Sequence, residues 1–92
     1  MKVYIAGKMT GLPNKGRSRF MAAHAILEAD GHTVLNPAIL PDDLDRTDYM
    51  PICLAMLDAA DAIYLLPNWA DSPGAKLERA YAEYQGKVVI EA

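Results

Sequence analysis

Four short apolar runs set the frame of this chain. Lys2–Ala6, Thr33–Leu35, Ala62–Leu66 and Lys87–Ile90 are rich in Val, Ile, Leu and Tyr, and twenty or more residues separate each from the next. A run that is apolar almost throughout, rather than alternating, suits a strand covered on both faces. Connections of that length are too long for hairpins and have room for a helix.

Helical spacing fills the gaps. From Arg17 to Asp30, Phe20, Ala23 and Leu27 fall on one face, and Gly31 stands where a C-terminal cap belongs. A second helix is expected over Tyr49–Ala59, with Met50, Leu54 and Leu57 as its apolar stripe. Asp48 would cap it, and Pro51 would fall in its first turn. Pro37–Asp48 between them reads as a long loop with at most a short helical turn. A third helix opens at Ser72-Pro73, presents Leu77, Tyr81 and Tyr84 as its core face, and closes at Gly86. The order β-α-β-α-β-α-β predicts an α/β fold: a three-layer α/β/α sandwich around a four-stranded parallel sheet, flavodoxin-like or Rossmann-like, as one domain over residues 1–92.

Composition limits the function classes. Of 92 residues, 52% are hydrophobic and 23% charged, which excludes a wholly disordered chain. A net charge of -3 argues against a generic duplex-DNA binder while leaving basic residues for a small anion. The single cysteine, Cys53, forms no intrachain disulfide, and no Cys/His group has zinc-ligand spacing, so neither a metal nor a cofactor is expected. His24 and His32 read as structural. The apolar run Met1–Gly7 is too short for a signal peptide or a membrane span, and a cytoplasmic setting is expected. A domain this small is expected to self-associate.

In open parallel sheets, ligands bind beyond the carboxyl ends of the strands, where strand order reverses. This selects Gly7–Gly11, Asn36-Pro37 and Pro67–Gly74. Gly7-Lys8-Met9-Thr10-Gly11 brings backbone N–H groups and the Thr10 hydroxyl toward a phosphate or sugar. It lacks the spacing of a P-loop or a dinucleotide motif, and it reads equally as a plain turn. Ser72–Glu78 says more. The start of a helix presents free N–H groups, and Glu78 follows Gly74 by four residues, so both share a face with no side chain at Gly74 above the carboxylate. The competing placement puts Glu78 on the solvent face, paired with Lys76, Arg79 or Arg17.

Tyr4-Ile5-Ala6-Gly7, Gly31–Pro37, Asp61–Trp69 and Ser72–Glu78, taken in order, resemble a small phage and bacterial family of unknown function, the domain of unknown function 4406 family. That family is similar in fold and motif order to nucleoside 2-deoxyribosyltransferases and deoxynucleoside 5'-monophosphate N-glycosidases. The resemblance covers nearly the whole chain. It implies that Glu78 attacks the anomeric carbon of a 2-deoxyribosyl group, with the base leaving and a glycosyl-enzyme forming. It implies that Tyr4 and Gly7 line the site, with Lys8 and Thr10 near the sugar or its 5' substituent and Asn36, Asn68, Ser72 and Gly74 among the substrate contacts. The implied partner is a small nucleoside or nucleotide, with the protein as a homo-oligomer. In one place the chain departs from the pattern. Active members carry an aspartate eight residues before the one that opens strand three, and here that position is Cys53. A thiol does not replace its charge, and Asp48 and Asp71 are the nearby loop carboxylates. Alongside the enzyme reading therefore stands a non-catalytic nucleotide-binding module, a sensor or a sponge.

Overall fold

The computed structural model describes residues 1–92. Four strands, β1 (Lys2–Ala6), β2 (Thr33–Leu35), β3 (Ala62–Leu65) and β4 (Val88–Glu91), form one sheet in the order β2-β1-β3-β4. All pairings are parallel. Tyr4 lies opposite Leu35 on one side and Ile63 on the other, and Leu65 lies opposite Glu91. Helices α1 (Arg17–Ala29), α2 (Arg46–Ala59) and α3 (Pro73–Tyr84) make the crossovers. Strand order reverses at β1, between β2 and β3, so the segments that follow β1 and β3 flank the crevice where a ligand belongs. No helix is long and apolar enough to cross a membrane.

The two faces of the sheet bury different elements. Val3 and Ile5 pack with Phe20, Ala23 and Leu27 of α1. Tyr4, Ala6, Ile63 and Leu65 pack with Cys53 and Leu57 of α2 and Ala75 and Ala82 of α3. The face predicted for α1 is the one buried. Its end follows the expected chemistry: Gly31 takes a positive φ of 88°, its N–H bonds the Glu28 carbonyl at 3.0 Å, and the His32 N–H bonds that of Leu27 at 3.1 Å. Gly86 closes α3 in the same way.

Three expectations need correction. Helix α2 starts at Arg46, not Tyr49, because Asp45 is its N-cap and Asp48, at the third helical position, turns back so that its Oδ2 accepts the Asp45 N–H at 2.9 Å. Pro51 therefore sits in the second turn, and the buried stripe is Cys53 and Leu57, with Met50 and Leu54 half-buried. The core face of α3 is rotated from the expected one. Ala75, Glu78 and Ala82 are buried, Tyr81 is half-buried, and Leu77 and Tyr84 are 53% and 88% exposed. Small residues let α3 lie close on the sheet, and the large ones are left outside. Finally, β4 is shifted by one residue relative to the expected Lys87–Ile90, whereas the short helical turn allowed for in the long loop is the 3-10 turn Pro37–Ile39.

Candidate functional site

Helix α3 carries Glu78 into the interior. Its start is fixed by Ser72, whose Oγ accepts the Ala75 N–H at 3.1 Å, and by Pro73 at the first helical position. With Ala75 and Ala82 against the sheet, Glu78 between them is buried, 6% exposed. Beneath it, alternation along β1 sends Tyr4 to the same face, and the Tyr4 hydroxyl donates to Glu78 Oε2 at 2.7 Å. Oε1 accepts from no protein group, yet it is not sealed, because Glu78 lines a cavity. The placement on the solvent face, paired with Lys76, Arg79 or Arg17, is not what the fold adopts.

Burial sets the electrostatics. It raises the Glu78 carboxyl from 4.5 to about 7, against the opposing pull of the Tyr4 hydrogen bond. Burial and the Glu78 charge together push the Tyr4 hydroxyl well above its ordinary range, so Tyr4 stays a donor. Cys53 of α2 is also buried, beside both residues, and burial pushes its thiol up. The position at which the resemblance expects an aspartate thus lies at the site and holds a neutral group.

The cavity in front of this pair encloses about 760 Å³ at the carboxyl ends of β1 and β3. That volume suits a ligand of nucleotide size. Tyr4, Gly7, Lys8, Thr10, Ser72, Gly74 and Glu78 all line it. Gly7 is needed there by close approach: a Cβ would stand 2.7 Å from Leu66 Cδ1 and 2.9 Å from Leu66 Cβ. A Cβ on Gly74 would meet Met50 Sδ at 3.8 Å and Ser72 Oγ at 3.9 Å, ordinary contacts, so space alone does not require glycine there.

The two asparagines are placed otherwise. Asn68 does not line the cavity; its Oδ1 accepts the Lys8 N–H at 3.0 Å and ties the loop after β3 to the loop after β1. Asn36 is fully buried away from the cavity, its Oδ1 accepting the Ala38 N–H at 2.9 Å and its Nδ2 within 3.1 Å of His24 Nδ1. It caps the 3-10 turn that follows β2. Its neighbour Pro37 lines the cavity, so this Asn-Pro turn borders the site through the proline.

Residues not expected at the site also border it. Lys15, Leu44, Arg46, Tyr49 and Met50 line the cavity. Lys15 belongs to the turn before α1, Leu44 to the loop before α2, and Arg46, Tyr49 and Met50 to the first turns of α2; of these, Leu44 and Arg46 fall in the stretch expected as a loop. The box Asp45-x-x-Asp48 was the signal for the earlier helix start. Of the two loop carboxylates, Asp71 lines the cavity, whereas Asp48 is engaged in the box.

A family profile, "Domain of unknown function (DUF4406)", matches residues 1–91. The chain belongs to the DUF4406 family. None of the curated proteins compared with this family member matches it. Among solved structures it is similar to a protein described as "2-desoxiribosyltransferase from Leishmania mexicana", with a TM-score of 0.77, 23% sequence identity and 98% of this chain covered. The chain spans 62% of the length of that protein. The likeness shows that this DUF4406 member has the Rossmann-like fold of a deoxyribosyltransferase.

Proposed function

We propose that the cavity binds a 2-deoxyribosyl nucleoside or nucleotide and that Glu78 breaks its N-glycosidic bond. The observation that carries this reading is the buried Tyr4–Glu78 pair, with one carboxylate oxygen held and the other open to the cavity. In the reaction, Glu78 Oε1 bonds to the anomeric carbon as the carbon–nitrogen bond breaks, and the electron pair leaves with the base, which takes up a proton. Water or a second base then displaces the carboxylate. A carboxylate below the sugar stabilises the oxocarbenium-like transition state in both steps. The Tyr4 hydroxyl holds Oε2 and so aims Oε1. Ser72, Gly74 and Thr10 form the surrounding wall, and Asp71 is the second carboxyl of the cavity.

The chain spans only part of the similar deoxyribosyltransferase, and its exposed Leu77 and Tyr84 support self-association. Elution as a dimer or larger species on size-exclusion chromatography is the expected result; a monomer would reject that part of the reading. A lone buried thiol fits a reducing, cytoplasmic setting.

Cys53 favours a second reading, a nucleotide-binding module without turnover, because the neutral thiol beside Tyr4 and Glu78 stands where a charged partner is expected. One experiment separates the two. The protein is incubated with deoxynucleosides and their 5'-monophosphates, and released base is measured by chromatography. Base release by the wild type that is lost in Glu78→Gln supports the enzyme. Ligand-induced thermal stabilisation without base release supports the module.

A further inference from the structure

We propose that Lys8, Lys15 and Arg46 form an anion subsite on the cavity wall, and that the ligand is a deoxynucleoside phosphomonoester rather than a free nucleoside. The subsite stands on charge and placement alone. Naming its ligand as a deoxynucleoside rests on the reading of Glu78 given above.

The whole chain has nine Lys and Arg against twelve Asp and Glu. The cavity lining inverts that balance, with Lys8, Lys15 and Arg46 facing only Asp71 and Glu78. None of the three cations takes part in an ion pair. The ion pairs in the structure are Arg17 with Asp42 and Arg79 with Glu83, and His24 lies beside Glu28. The carboxylate closest in sequence to the Lys15 contact, that of Asp42, is already taken by Arg17.

Lys15 is held in place without being neutralised. Its Nζ donates to the Asp42 carbonyl at 2.7 Å and to the Tyr49 hydroxyl at 3.2 Å, and it lies 5.1 Å from the centre of the Tyr49 ring. All of these partners are uncharged. Asn14 and Lys15 adopt positive φ values of 51° and 56°, a conformation that side chains rarely take, and it directs the ammonium across to α2. Arg46, at the first position of α2, stands one helical turn before Tyr49 and lines the same cavity as Lys15. Lys8 joins them from the loop after β1, its backbone fixed by Asn68. Two or three cations without carboxylate partners, beside a cavity of nucleotide size, suit a dianionic phosphate.

Equilibrium binding to the Glu78→Gln form, which removes turnover from the measurement, tests this. A deoxynucleoside and its 5'-monophosphate are compared at low salt, with inorganic phosphate as competitor. The monophosphate is expected to bind at least about tenfold more tightly, the effect of one charge-assisted hydrogen bond. The preference should shrink as salt rises, and inorganic phosphate should compete. Adding Arg46→Gln, at an exposed helix start, should lower the preference by a few-fold or more, and Lys15→Gln in addition should abolish it. If Lys15→Gln disrupts its turn, the Arg46 substitution alone decides. Equal affinity for the two ligands, binding of neither, or an unchanged preference in the Arg46 form overturns the proposal. The two readings fail separately. Monophosphate-selective binding with no base release by the wild type removes the nucleophile and keeps the subsite. Base release that is as fast from nucleosides as from monophosphates does the reverse.

Discussion

Val3 and Ile5 leave β1 toward α1 and meet Phe20, Ala23 and Leu27, whereas Tyr4, the residue between them, leaves toward α2 and α3 and meets Glu78. The first contact set is hydrocarbon and has no polar group to satisfy. The second is also buried yet holds a hydroxyl, a thiol and a carboxyl. Hydrocarbon burial stabilises at about 25 cal/mol per Å², while burying a carboxyl opposes folding unless it is protonated or well paired. One face of the sheet therefore supplies stability, and the other gives up part of it to bury a carboxyl that lines the cavity.

Truncating the hydrocarbon face should have the largest effect. Leu27→Ala is expected to destabilise by about 2–5 kcal/mol, as buried Leu truncations do, and to leave ligand affinity unchanged at temperatures where the protein stays folded. Denaturant titration and calorimetry check both. A strong loss of affinity in the folded variant would break the division between the faces.

The opposite sign is expected on the other face. The Glu78 carboxyl is raised from 4.5 unfolded to about 7 folded, so the native state holds the proton more tightly. The stabilising effect of that proton is complete below about 4.5, fades as pH rises toward 7, and is gone above it. At about 1.4 kcal/mol per pH unit, the span from 4.5 to about 7 amounts to about 3 kcal/mol. Glu78→Gln keeps an acceptor for Tyr4 and has no such slope. It should exceed the wild type in stability by up to about 3 kcal/mol at pH 8 and match it near pH 4. Chemical denaturation across pH measures this, and a wild-type profile parallel to that of the variant would count against the buried carboxyl.

A smaller effect is expected where the two loops touch. Gly7→Ala puts a Cβ 2.7 Å from Leu66 Cδ1, and relieving that clash should cost about 1–3 kcal/mol and weaken ligand binding. Unchanged denaturation and affinity would show that Leu66 yields freely. Smallest is Tyr4→Phe, which removes one hydrogen bond and should cost about 1–2 kcal/mol. It also removes the influence that lowers the Glu78 pKa, so the rise of base release with pH should move to higher pH. An unmoved profile would mean that Tyr4 does not act on Glu78.

The sequence made α1 legible because Phe20, Ala23 and Leu27 repeat at helical spacing and Gly31 marks the end. It made the start of α3 legible through Ser72-Pro73. The buried face of α3 was not legible, because spacing and size favour Leu77 and Tyr84 over Ala75 and Ala82. Only the closeness of the helix to the sheet selects the alanines. Glu78 was placed correctly at the cavity, on its distance from Gly74 and on resemblance, although the space above Gly74 is less decisive than that spacing suggests. The capping role of Asn36 was not legible, because a capping asparagine and a binding asparagine look alike in sequence. Lys15 and Arg46 were missed because their nearness depends on a left-handed turn and an early helix start.

The central claim is that the Glu78 carboxylate bonds to the sugar. Rapid acid quenching of the protein with a deoxynucleoside 5'-monophosphate, followed by intact-mass and peptide analysis, tests it most directly. A mass gain of one deoxyribosyl phosphate on the peptide containing Glu78, absent in Glu78→Gln, is the predicted result. Base release with no adduct at any quench time, or an adduct that persists in Glu78→Gln, would contradict it.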